Sequence, residues 1–204
     1  MFRFFERLIP AFPEQEPTQP PKGLLAFCWH YTRDVAPYLL IMAVLTGMLA
    51  LIEVALFGFL GNLVDWLSTK DPATFLAEES STLWWMGGLV LIVLPLTVFF
   101  HSMIIHQTLL GNYPMIIRWQ AHRYLLSQSI SFYQNEFAGR LATKVLQTSL
   151  AVRESVMKVL DVLLFVSVYF IGMLFLIADS DIRLIIPLII WLLCYLCVLM
   201  YFIP

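Results

Sequence analysis

Three ionisable side chains, Glu53, His101 and His106, stand in stretches apolar enough to lie in a membrane. A carboxylate or imidazole in hydrocarbon is costly, so such groups mark substrate or ion contacts, proton relays, or polar links between helices. Glu53 suits a contact to a cationic substrate, a proton carrier, or a hydrogen bond to a neighbouring helix. His101 and His106 are five residues apart. On a helix they point about 140° from one another, so they do not share one metal ion as i, i+4 histidines do. All three are candidates for lining a substrate cavity, with polar packing between helices as the plainer use of the histidines. No metal site is expected. The pair Cys194 and Cys197 lacks the second ligand pair that a zinc site needs and reads as small apolar packing residues.

The other chemistry-bearing stretch is Arg118 to Lys158, which holds half of the twelve basic residues between two very hydrophobic halves. Its apolar residues recur at helical spacing: Trp119, Tyr124 and Leu125, then Leu141, Val145, Val152 and Val156. This is the pattern of two helical arms with an interruption near 131–139. Phe132, Tyr133 and Phe137 fall at that interruption, and Gly139 supplies a residue able to release the backbone into the returning arm.

The elements that must carry these residues are membrane helices. Apolar residues make up 60% of the chain and charged residues 13%, against roughly 45–50% and roughly 25% in soluble domains. The mean hydropathy of +0.82 agrees. The expected fold class is therefore all-α and polytopic, with long transmembrane helices that extend beyond the bilayer. Spans are expected at about 37–67, 82–112, 159–178 and 184–204, and an interfacial helix at 24–35, with 113–158 as the long loop. Residues 1–23 begin with a short amphipathic run and continue as PAFPEQEPTQPPKG, whose prolines forbid a helix and predict an extended linker. This start is not a signal peptide, since Arg3, Glu6 and Arg7 interrupt the apolar run. Gly47, Met48, Gly58 and Gly61 suit close helix contacts, and Pro95 and Pro114 suit bends in the second span. The sequence stops on an apolar run, and the chain is expected to be a fragment.

Charge fixes an expected orientation. The N-terminal segment has Arg3, Arg7, Lys22 and Arg33, the long loop has six basic residues, and the two short loops have only Lys70 and Arg183. The positive-inside rule then places the N-terminus and the long loop in the cytoplasm, in a cytoplasmic (inner) membrane. Anionic lipid and topology account for the basic loop, so no nucleic acid is expected as a partner.

The order of these pieces resembles the first four helices of a bacterial ABC exporter, the type 1 transmembrane domain of a fused permease/ATP-binding half-transporter. The resemblance covers about 24–204. Its local carriers are SFYQNEFAGRLATKVLQTS at 131–149 and GNLVDWL around Asp65, with 24–35 in the place of the elbow helix. Ala138 stands where that family often has proline, and Thr148 or Ser149 where it usually has an acid. The resemblance implies a coupling tip in which Phe132, Tyr133, Asn135, Phe137, Gly139, Arg140, Leu141 and Lys144 meet an ATP-binding domain. It implies ATP and Mg2+ on that domain, either in a further C-terminal part or on a separate chain, because no G-x-x-x-x-G-K-[ST] loop occurs in these 204 residues. It also implies a second transmembrane half, identical or not, membrane lipid around both, and a lipid, drug or other small amphipathic substrate. The whole protein would then be an ATP-hydrolysing translocase. The alternative is a secondary transporter or channel with Glu53 as its proton or ion site. That reading expects discontinuous helices and an internal repeat, and no repeat is evident.

Overall fold

A computed structural model describes residues 2–14, 18–70, 78–135 and 137–202. Among these residues seven helices follow in order: α1 (Phe2–Glu6), α2 (Leu24–Thr32), α3 (Ala36–Thr69), α4 (Ser80–Leu126), α5 (Ile130–Asn135), α6 (Ala138–Ser180) and α7 (Ile182–Phe202). No strand occurs among the described residues. The four long helices α3, α4, α6 and α7 are each long and apolar enough to cross a membrane. The protein is an all-α polytopic membrane protein.

Length separates two of these helices from ordinary spans. α4 has 47 residues and α6 has 43, or about 70 Å and about 65 Å at 1.5 Å per residue. A hydrocarbon core is crossed in about 30 Å, so each helix carries an arm well beyond its span. The two arms are the halves of α4 and α6 flanking α5, and they run antiparallel. Arg118 donates from Nε to Ser149 Oγ at 3.0 Å and ties one to the other.

Neither proline breaks α4. Each instead follows a π-helical turn, at Leu89–Val93 before Pro95 and at Ile104–Leu109 before Pro114. The wider turn absorbs the missing i→i−4 bond. Pro114 deprives the Leu110 carbonyl of its helical donor, and Arg153 from the α6 arm supplies one at 3.4 Å. A third π-helical turn lies in α6 at Val159–Leu163.

The core sits where the arms leave the spans. Val35, Leu39, Met42, Leu109, Tyr113, Ile116 and Ile117 are buried there, with Ile9 and Val152. From α2, Tyr31 joins them with Phe27 and Cys28 beside it, while Leu24 and Trp29 face outward. Tyr113 Oη donates to Thr32 Oγ1 at 2.6 Å, since the Thr32 hydroxyl hydrogen goes to the Cys28 carbonyl. Farther along the spans, burial falls away, and the most apolar windows of α6 and α7 bury nothing. Exposed apolar faces are at no disadvantage against lipid tails, which are as apolar as leucine.

Close approach in the spans is set by glycine. α3 and the membrane part of α6 run parallel, with Val54 over Gly172 and Leu176 over Gly58. A Cβ at Gly172 would stand 2.9 Å from Val54 Cγ2, and one at Gly58 2.9 Å from Leu176 Cδ1. Gly47 touches Leu164 more loosely, Gly61 has open space around it, and Met48 is exposed. Small residues let backbones meet in lipid, where packing rather than hydrophobicity joins helices. Gly172→Leu should lower unfolding stability in detergent by about 1–3 kcal/mol through overpacking, whereas Gly61→Leu should leave it unchanged.

Residues 10–14, the start of the expected linker, are not free. With 3–9 they form a strap fastened along α3 and α4. Tyr38 Oη donates to the Leu8 carbonyl at 2.7 Å, Thr108 Oγ1 to Phe5 at 3.1 Å, and Asn112 Nδ2 to Glu6 at 3.0 Å. Farther down, Trp119 Nε1 reaches the Pro13 carbonyl at 3.1 Å and Arg123 the Glu14 carbonyl at 3.1 Å. Residues 10–14 are not helical, as expected, but carbonyls along the strap are taken by side chains of α3 and α4.

Candidate functional site

Three membrane helices share polar groups at a triangle of Thr46 on α3, His101 on α4 and Asp161 on α6. Thr46 Oγ1 donates to Asp161 Oδ1 at 2.6 Å. His101 Nε2 lies 3.1 Å from the same Oδ1 and 2.9 Å from Thr46 Oγ1. The threonine hydroxyl has one hydrogen and spends it on the carboxylate. The imidazole must therefore bear hydrogen on Nε2, shared between Asp161 and Thr46. Thr46 is fully buried, His101 is mostly so, and Asp161 keeps about a third of its side chain accessible.

Local structure explains the placement. Thr46 lies on the α3 stripe Leu39, Met42, Thr46 and Ala50, which recurs at helical spacing and faces the bundle. Asp161 is inside the π-helical turn Val159–Leu163, and His101 is three residues before the turn Ile104–Leu109. The triangle can hold three helices in one register. It offers one carboxylate and one imidazole, fewer ligands than a metal centre takes.

Of the sequence candidates, His101 belongs to this cluster and the other two do not. His106 is exposed on the far side of α4, as the five-residue spacing requires. Glu53 is exposed on α3 beside Phe57 and Leu60, one and two turns on, and its side chain has no hydrogen bond or ion pair among the described residues. Asp161 escaped the sequence reading. It stands two residues inside the apolar run, next in line after Lys158, and looks like the end of the polar loop. The signal was present: it is the sole carboxylate within 159–178.

The arm tip is the second site. α5 connects the arms, and Tyr133 Oη donates back to the Leu125 carbonyl at 2.6 Å. Phe132 meets Tyr133 edge to face with ring centroids 5.4 Å apart. Phe137 is 76% exposed, and the Arg140 guanidinium lies 5.7 Å from its ring centre. Leu126 and Ile130 are exposed as well. Gly139 and Arg140 face outward at the start of α6, Lys144 is exposed at the edge of a small cleft that it lines with Tyr31, Tyr124 and Leu141, and Leu141 turns inward. There it lines, with Arg118, Leu125, Tyr133 and Val145, a cleft of about 570 Å³ between the arms. The backbone of Asn135 ends α5, and its side chain lies outside the described residues. A tip of exposed aromatics on polar arms is a surface shaped for docking, since large apolar side chains clustered in water mark an interaction site.

No family model matches the chain, and no solved structure matches it. Over all 204 residues it is 39% identical to a protein of Haemophilus influenzae described as an uncharacterized ABC transporter ATP-binding protein. The chain spans 33% of the length of that curated relative. It is thus similar, end to end, to part of an ABC transporter protein.

Proposed function

We propose that the chain is the membrane part of an ATP-driven exporter, and that α5 and its flanks couple it to an ATP-binding domain. The observation that carries the reading is the pair of long arms. α4 and α6 run on past their spans, are pinned together by Arg118 and Ser149, and end in the exposed aromatics Tyr133 and Phe137. A membrane anchor has no use for such arms, whereas a machine driven from outside the bilayer needs levers. The similarity to an ABC transporter protein supports the same reading. ATP and Mg2+ belong to the ATP-binding domain, and this chain supplies the grip that feels it close. The excess of basic residues at the N-terminus and on the arms supports a cytoplasmic position for both, in the inner membrane.

Outside the triangle, the open faces of α3, α6 and α7 fit a second transmembrane half and lipid. Glu53 stands unpaired among apolar neighbours on such a face. A carboxylate there suits the positive group of an amphipathic substrate.

The test is ATP hydrolysis and substrate flux by the complete protein in lipid vesicles, combined with cysteine cross-linking from position 137 to the ATP-binding domain. Cross-links that form without added ligand and change in yield with ATP are the expected result. Absence of any ATPase activity would overturn the reading.

A further inference from the structure

The strap grips α4 on both sides of Pro114. This proline closes a weak stretch of the helix that begins at the π-helical turn Ile104–Leu109, so a widened turn is followed by a missing backbone donor. Before the proline, Thr108 and Asn112 hold the carbonyls of Phe5 and Glu6. After it, Trp119 and Arg123 hold those of Pro13 and Glu14. Between these grips Ile9 is 3% exposed in the core, and Tyr38 fixes Leu8 to α3. Phe12 meets the Trp119 ring edge to face at 5.3 Å.

The chemistry of the contact is one-sided. In the bonds between described residues, the donors are side chains of α3 or α4 and the acceptors are strap carbonyls. Pro10 and Pro13 fix their own φ angles and narrow the choices of the residues before them, so less conformational freedom is lost when this half of the strap fastens. A bridge of this kind resists bending of the helix beneath it. We propose that residues 5–14 are a brace across the α4 hinge, holding the arm beyond Pro114 at a set angle to the span before it. The brace stands on these contacts alone. Its effect on coupling rests on the exporter reading above: a brace that must slip when the arm swings makes the stroke two-state rather than gradual.

Hydrogen exchange of the complete protein in lipid nanodiscs tests this. Two variants are compared with the parent: one lacking residues 2–14, and the double substitution Trp119→Phe with Arg123→Met, which keeps the strap but frees its lower end. Amides in 104–126 should exchange about tenfold faster in the double variant, through local opening, and those in 164–176 should be unchanged. Unaltered exchange in 104–126 in both variants overturns the brace, and so does equal acceleration in every helix. ATPase and transport measured on the same samples separate the two claims. Fast exchange with fewer molecules moved per ATP supports the brace and its role in coupling. Fast exchange in a protein that hydrolyses no ATP supports the brace and sinks the exporter reading.

Discussion

Asp161→Ala should loosen the three-helix junction, lowering unfolding stability in detergent by about 1–3 kcal/mol, because two interhelical hydrogen bonds end on its Oδ1 and such bonds in membranes are worth about 0.6 kcal/mol on average and up to about 1.7. The donors left behind decide where in that range the effect falls. Thr46 can turn its hydroxyl to its own helix, but the His101 Nε2–H has only Thr46 left. Asp161→Asn should cost less, since the amide oxygen still accepts. Thr46→Val combined with Asp161→Ala should be less damaging than the sum of the single changes, as groups in one network are not additive. Glu154→Ala, which removes only a surface pair with Arg153, is the control and should shift nothing measurable. If Asp161→Ala behaves like that control, the triangle is not what holds the helices together.

On the exporter reading proposed above, Phe137→Ala should abolish most substrate transport while leaving insertion and fold intact. Three-quarters of this side chain is exposed, so its removal opens no cavity. If it anchors in a partner groove, truncation costs about 2 kcal/mol or more at the interface, which is roughly thirtyfold in affinity. Tyr133→Phe is a subtler probe. It deletes only the bond to the Leu125 carbonyl and should reduce transport modestly by loosening α5 on its arm. ATP hydrolysis that continues while flux falls is the expected signature. Normal flux in Phe137→Ala would remove the coupling role from the tip.

Much of the architecture could be read from residue types because it rests on periodicity and polarity. Four long apolar runs and a polar stretch with helical spacing lead directly to four long helices and two arms. The details that escaped rest on relations between distant residues. Asp161 shares its neighbourhood in sequence with Lys158, yet its partners lie 60 and 115 residues away. Gly172 is one glycine in an apolar run, and only Val54 above it shows why a side chain would not fit. The strap is the clearest case. Its prolines signal extended backbone, but its docking uses carbonyl oxygens, which every residue has and no sequence advertises. Glu53 shows the converse. Its charge made it conspicuous, and the structure leaves it facing outward.

The triangle also sets an order for biogenesis. Thr46 and His101 belong to the first two spans in chain order, and Asp161 comes only with the third. Until the third span arrives, the His101 Nε2–H has only Thr46 to receive it, and both groups lack the carboxylate they share in the finished fold. The first hairpin is therefore a metastable guest in the membrane. Arrival of the third span completes it by bringing the Asp161 carboxylate to both.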